Sequence, residues 1–401
     1  MNQIARLGRG AGAWLRRLGR HPIVSSVTPI GWALLAALGI GAGLGWGRGW
    51  LEFRALAFIA AVVLLVAGLS VLRRREHEVA LELTQPRVQA GELAMGRISV
   101  HAAGRRGTAP TRMEFPVGKA VATFRVQHLG PEDEHEELFT IPTRRRGVVP
   151  LGPVRSVQVD PIGAISRIKP LTEPVELYIH PKVVHVDAGA IGVLKDVEGI
   201  TTSTLSSSDV SFHALREYVP GDPRRSVHWK TTARTGRLMV QQFEETMRAH
   251  LLILLSTRQG DYATEDDFEQ AVSAAASLGV AALGAERQLS ILTSDGELRF
   301  PSTLGMLDAL SGVELSQTGS DLRKMASLSS SISGVSVAAL LSGDIAPNEL
   351  RAAQMTLPVG IRAFAVRNAA STELSRRQVG ALTVLDVPAL GDLPAAIGSL
   401  T

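Results

Sequence analysis

Two stretches near the start of the chain carry no charged residue: Pro22 to Gly47, 26 positions, and Ala55 to Leu72, 18 positions. A helix needs about 20 mostly apolar residues to cross the hydrocarbon core of a bilayer, so both read as spanning helices, the second slightly short. Only Gly47 to Arg54 separates them, which predicts a tight antiparallel hairpin. Arg6, Arg9, Arg16, Arg17 and Arg20 precede the first stretch, and Arg73, Arg74 and Arg75 follow the second. The connector holds only Arg48 and Arg54, against Glu52. This arginine bias predicts both termini on the cytoplasmic side. A signal peptide followed by one anchor would send the rest outside instead, but a convincing small-x-small cleavage site is missing. Gly39, Gly41, Gly43 and Gly45 lie at membrane depth with no strand before them, so their spacing suits close helix–helix packing better than a dinucleotide loop.

Past the arginine triplet the period of the pattern changes to two. VALELT (79–84), GRISV (96–100), AVATFRV (120–126), ELFTI (137–141) and RSVQV (155–159) alternate apolar and polar residues between turn-forming segments. Short strands at this spacing predict a small antiparallel sandwich over residues 76–185. The acidic run Glu132 to Glu137 and the basic run Arg144, Arg145, Arg146 flank one strand; they read as solvated loop charges, or as a docking pair. His180 and His185 are five apart in a predicted strand, hence on opposite faces, which argues against a shared metal. Residues 186–208, ending in the polar run Thr201 to Ser208, read as a linker.

Beyond residue 209 the pattern alternates continuous apolar runs with helical ones. LLILLS (251–256), LSILT (289–293), VSVAALL (335–341), VGIRAFAV (359–366) and ALTVLDV (381–387) read as buried strands. Thr264 and Asp267 form a capping box for an Ala-rich helix ending near Gly284; TLGMLDAL (303–310) and NELRAAQM (348–355) are further helices. Strands alternating with helices predict a doubly wound α/β domain over 209–401.

Composition narrows the chemistry. The absence of cysteine excludes disulfides, thiolate zinc sites and cysteine nucleophiles. Aromatics are 4% of the chain, poor material for stacking nucleic-acid bases, and much of the net charge of +4 lies in arginines beside the apolar stretches. No Walker A loop, H-E-x-x-H or G-x-S-x-G elbow occurs. The expectation is a non-enzyme that binds no nucleic acid and needs no cofactor.

The densest pattern is Arg216 to Glu245, REYVPGDPRRSVHWKTTARTGRLMVQQFEE. Pro220-Gly221 reads as a type II turn, Asp222 as a helix N-cap and Pro223 as the first residue of a helix running to about Arg234. Gly236 is placed to end that helix, and Leu238 to Val240 to begin a strand. Ser226 and His228, two apart on such a helix, would not face each other.

The run R-E-Y-x-P-G-D-x-R-R-x-x-x-W-K-x-x-A-R, Arg216 to Arg234, resembles the signature of the bacterial domain-of-unknown-function 58 family. That resemblance implies a membrane-anchored protein with an immunoglobulin-like β domain and a von Willebrand factor A-like α/β domain. It also implies partnership with MoxR-type AAA+ ATPases and transglutaminase-like membrane proteins, and no activity. Domains of the A type often hold a divalent cation through an Asp-x-Ser-x-Ser loop after the first strand. Here the loop reads Ser256-Thr257-Arg258-Gln259-Gly260, without the leading Asp, so Asp295 and Asp344 remain only as weak candidate ligands.

The signature itself admits three readings. Glu217, Asp222, Arg224, Lys230 and Arg234 could brace turn, helix and strand, with Trp229 anchoring the helix against the sandwich as the hinge that fixes one domain on the other. Alternatively Arg224, Arg225, Arg234 and Arg237 receive an acidic partner, as arginine forks beside an aromatic commonly do. In the third reading the same groups take phosphate or nucleic acid. Arg216, Tyr218, Pro220 and Gly221 complete the set. The functional expectation is a scaffold or adaptor held at the bilayer, working with an AAA+ ATPase in assembling or maintaining an envelope complex. The alternative is a cation-dependent binding protein or weak hydrolase working at the strand ends.

Overall fold

The computed structural model describes residues 26–72, 77–102, 108, 110–131, 133–160, 162–189, 205–206, 211–220, 222, 224–244, 250–369 and 373–400. These divide into two compact units, Met1–Arg144 with Val148–Ile179, and Arg145–Gly147 with His180–Thr401.

The first unit begins with two helices, α1 (Pro29–Gly47) and α2 (Leu51–Leu72). Thr28 caps α1 by accepting the Gly31 N–H, and Pro29 takes the first turn, where its missing N–H costs nothing. Both helices are long and apolar enough to cross a membrane. Large apolar side chains such as Ile40, Phe58, Ile59 and Leu65 stay exposed on them. The glycines divide by face. A Cβ on Gly41 would come within 2.9 Å of the Phe53 carbonyl and one on Gly45 within 2.8 Å of the Arg54 nitrogen, whereas Gly39 and Gly43 face open space. Close packing therefore uses two of the four glycines, because helix faces repeat every four residues and the even spacing of two alternates between faces.

Ten strands follow: β1 (His77–Leu83), β2 (Arg87–Gln89), β3 (Leu93–Ala102), β4 (Thr111–Val117), β5 (Ala120–Val126), β6 (Glu134–Pro142), β7 (Gly147–Leu151), β8 (Arg155–Val159), β9 (Ser166–Pro170) and β10 (Val175–His180). They form one sheet ordered β1-β3-β6 and another ordered β2-β10-β7-β4-β8-β9, with β5 on β4. Ile98 and Val100 of the first sheet share a core with Met113, Phe115, Leu151 and Leu177 of the second. Strand alternation sends one set of side chains inward from each sheet, which is why the period-two pattern was legible.

The second unit holds a small sheet and a large one. Strands β11 (Leu205–Ser206), β12 (Ser211–Glu217) and β13 (Met239–Glu244) pair in the order β11-β13-β12. Leu205 and Ser206 therefore sit in a strand facing Glu244 and Phe243, not in a free linker; the rest of 190–210 lies outside the described residues except for these two. The large sheet comprises β14 (His250–Leu255), β15 (Gln288–Thr293), β16 (Gly296–Leu298), β17 (Val335–Ser342), β18 (Arg362–Arg367), β19 (Ser375–Val379) and β20 (Leu382–Asp386), ordered β16-β15-β14-β17-β18-β20-β19. Its five central strands are parallel, and β16 and β19 close the edges antiparallel.

Six helices accompany these sheets among the described residues: α3 (Trp229–Thr235), α4 (Glu265–Gly284), α5 (Thr303–Ser311), α6 (Leu322–Leu328), α7 (Pro347–Gln354) and α8 (Leu393–Gly398). Helices α4, α5 and α8 cover one face of the large sheet and α6 and α7 the other. The Thr264–Asp267 capping box opens α4 as the spacing predicts.

Two sequence readings change here. Arg146 is not a solvated loop charge. It lies over the Phe268 ring, donates to the carbonyls of Leu310 and Val313 at 2.9 and 2.6 Å, and pairs with Glu269 at 3.2 Å. Burial pulls its basicity down and pushes the Glu269 carboxyl up. His180 ends β10 rather than standing mid-strand with His185, and its Nε2 meets the Asp308 carboxylate at 2.8 Å, a partner far away in sequence.

Candidate functional site

The loop between β12 and β13 folds back over its own sheet. The Tyr218 N–H donates to the Leu238 carbonyl and the His228 N–H to that of Met239, both at 2.8 Å, while Met239 donates to Thr232 Oγ1 at 3.0 Å. Residues 224–226 make a single 3-10 turn, and α3 starts only at Trp229. His228 is its cap: Nδ1 accepts the Thr231 N–H at 3.2 Å and lies 2.7 Å from the Thr231 hydroxyl. Gly236 ends α3 in the left-handed region, φ 72°, as its position predicts.

Asp222 is therefore not a helix cap. Its carboxylate takes a two-point fork from Arg216, at 2.8 and 2.7 Å, and the Val219 N–H at 2.9 Å. The Arg216 fork, with help from that N–H, holds the Asp222 carboxyl below its usual range. Arg237 pairs with Glu217 at 2.6 Å in an exposed contact. Among the described residues these two ion pairs tie the turn to the strands. Arg224, Lys230 and Arg234 are exposed and have no carboxylate partner among the described residues. Trp229, on the first turn of α3, is 66% exposed. Pro220 is exposed and Tyr218 half-buried; Gly221 and Pro223 lie outside the described residues.

At the carboxyl ends of the parallel strands a second polar cluster forms. The Ser256 hydroxyl donates to Asp261 at 2.5 Å, and that of Thr257 to Asp295 at 3.1 Å. Asp295 also accepts the Ser316 hydroxyl at 2.9 Å. Asp344 belongs to a different network, paired with Arg367, which in turn donates to Asp386 at 2.8 Å. No group of three metal-ligating side chains occurs among the described residues. Between β14 and β17, where the chain diverges to opposite faces of the sheet, lies a cleft of about 180 Å³ lined by Arg258, Asp261, Leu322, Arg323, Ile345 and Glu349. Open α/β sheets place ligands at this kind of point. Arg323 and Glu349 escape sequence reading because they lie on helices with no motif; topology alone brings them to Arg258.

By fold, then, the chain joins two apolar helices and an all-β module to a mixed sheet with a parallel centre and helices on both faces. Residues 214–386, a little under half of the chain, match the model of the family described as protein of unknown function DUF58. The uncharacterized protein YeaD of Bacillus subtilis is 32% identical over 87 residues, covering 19% of this chain and 21% of that relative. The match thus spans about a fifth of the relative's length. Among solved structures, the CARDB domain of a Pyrococcus furiosus protein overlays with TM-score 0.20 and 17% identity, over 26% of this chain and 93% of that one. A β-glucosidase from Listeria innocua gives TM-score 0.19 and 10% identity, over 26% and 16%. These overlays are too loose to define the fold.

Proposed function

We propose that the protein is a non-enzymatic scaffold or adaptor, anchored by its helical pair and docking an acidic protein surface on the signature segment. The observation that carries this is Trp229, 66% exposed on a short helix that also presents Lys230 and Arg234, which have no carboxylate partner among the described residues. An exposed aromatic beside exposed cations is what interface anchors are made of. The family resemblance supplies the partner class, a MoxR-type AAA+ ATPase, and with it a role in assembling or maintaining a membrane complex. The resemblance also supports a von Willebrand factor A-like α/β domain and cytoplasmic termini.

The test is a crosslinking pull-down from membranes, wild type against Trp229→Ala/Arg234→Ala. Capture of the AAA+ ATPase by wild type and its loss in the variant supports the docking role. Equal capture by both overturns it and moves the binding face to the large sheet, where metal-dependent stabilisation would favour the cation-binding alternative.

A further inference from the structure

The end of the β module that adjoins α1 carries a basic cleft of its own. Ser26 to Thr28 enter α1 as an added edge on the β8–β9 turn: Val27 bridges Ile165, Thr28 donates to the Ala164 carbonyl at 3.0 Å, and Ser166 donates to that of Ser26 at 2.7 Å. Gly31 leaves no room for a side chain, because a Cβ there would collide with the Ala164 carbonyl. The turn is thereby tied to the first turn of α1, on which Ile30 and Trp32 are about half exposed. A bilayer that receives α1 brings its surface to this turn. Val159 and Ile162 at the turn are exposed apolar groups, of the kind an interfacial zone accepts.

Pairing register lines up Arg125, Arg112, Val157 and Ile168 in one row across β5, β4, β8 and β9. Directly opposed residues of an antiparallel pair share a face with Cβ atoms about 5 Å apart, so like charges there are destabilising. Arg112 has Glu114 only at 3.9 Å, and Arg125 has no carboxylate partner among the described residues. Both line a cleft of about 550 Å³ with Gln127, Gln158 and Val159, at the strand end next to the turn. Two opposed guanidiniums in such a place call for an anion.

We propose that this cleft binds the phosphate-bearing headgroup of an anionic phospholipid. Arg112 and Arg125 take phosphate oxygens, for which guanidinium forks are suited, while Val159 and Ile162 enter the boundary of the acyl region. The inference rests on the membrane-anchored reading above.

The experiment uses the full chain in mild detergent. Native mass spectrometry measures retention of phosphatidylglycerol and of phosphatidylcholine by wild type, by Arg112→Gln/Arg125→Gln, and by Arg97→Gln/Lys119→Gln, which removes as much charge elsewhere on the module. Wild type and the control retain phosphatidylglycerol in preference, and the cleft variant loses it by roughly thirtyfold, the factor expected for two arginines at a lipid surface. Equal retention by all three overturns the site. So does displacement of the lipid by an equal concentration of inorganic phosphate, which would make this a free-anion site, or binding of polyglutamate peptide without lipid selectivity, which would make it a protein-docking face. Extraction of the wild type from membranes by alkaline carbonate would sink the anchoring itself, a result separate from loss of headgroup selectivity.

Discussion

Arg216 and Asp222 face each other six residues apart, with both guanidinium Nη atoms on the two carboxylate oxygens at 2.8 and 2.7 Å. The pair closes the signature turn, and the same carboxylate holds the Val219 N–H. Asp222→Asn keeps the shape but loses the charge-assisted fork, so the 218–222 turn should open more often. Amide exchange there should quicken while exchange in β14 and β17 stays slow, because that sheet has its own core. The carboxyl has a depressed folded pKa, so its contribution is present above the ordinary carboxylate range and lost as pH falls through and below about 3.8. The same turn in the variant should be insensitive to pH over that window.

The two glycine faces of α1 make a paired prediction. Gly41→Leu must push α2 away, since even a Cβ lies 2.9 Å from the Phe53 carbonyl; overpacking of this kind costs about 1–3 kcal/mol. Gly39→Leu meets open space and should be close to neutral. Cysteine crosslinking between the helices would report both: slower for Gly41→Leu, unchanged for Gly39→Leu.

Asp386, 2% exposed, accepts from Arg367 at 2.8 Å, Arg377 at 2.5 Å and Ser375 at 2.7 Å. Arg367 is itself buried, so Asp386→Ala leaves a guanidinium without its main counter-charge. Loss of one partner of a buried pair typically costs about 3–5 kcal/mol. Urea unfolding of the second unit should show a drop of that order. A drop below about 1 kcal/mol would mean that Asp344 alone suffices.

Runs whose burial is total were the easiest to read. LLILLS became β14 because a parallel central strand is apolar on both faces, and the Thr264 capping box gave the start of α4 to the residue. The edge strands β16 and β19 escaped, since half-exposed polar sequences such as Ser375 to Val379 carry no apolar run. Within the signature, Gly236 and the strand after it were legible from local chemistry. Asp222 was misread because the spacing of an N-cap and that of a turn-closing acid before proline are alike. Only the fold places Arg216 opposite it. Arg146 failed for a similar reason: a basic triplet looks solvated until Phe268 and three carbonyls meet one member of it.

His250 makes a pH prediction opposite in sign to that of a salt-bridged histidine, whose pKa would be raised. It is buried, with Nδ1 3.2 Å from the Ser333 carbonyl and Nε2 3.1 Å from the Ser290 hydroxyl. Burial lowers its pKa below 6.5, more than Ser333 and the field of Glu297 restore it. A depressed folded pKa means stability that is full above the unfolded value and declines as pH falls from about 6.5 through the folded value. The slope in that window cannot exceed about 1.4 kcal/mol per pH unit for one group. His250→Gln should flatten the profile there in thermal melts, and an unchanged slope would assign the effect to another histidine.

Trp229 separates fold from function most cleanly. A core tryptophan costs about 3–5 kcal/mol when cut to alanine. At 66% exposure Trp229 has little such packing to lose, so Trp229→Ala should leave the unfolding free energy within the scatter of surface substitutions, about 0.5 kcal/mol either way. Under the proposed docking role, the same change should weaken capture of the proposed AAA+ partner by tenfold or more, as truncation of an interface anchor commonly does. A large stability loss with unchanged capture would restore the bracing role to α3. A silent result on both counts would leave Arg234 and Lys230, on the same short helix, as the groups to change next.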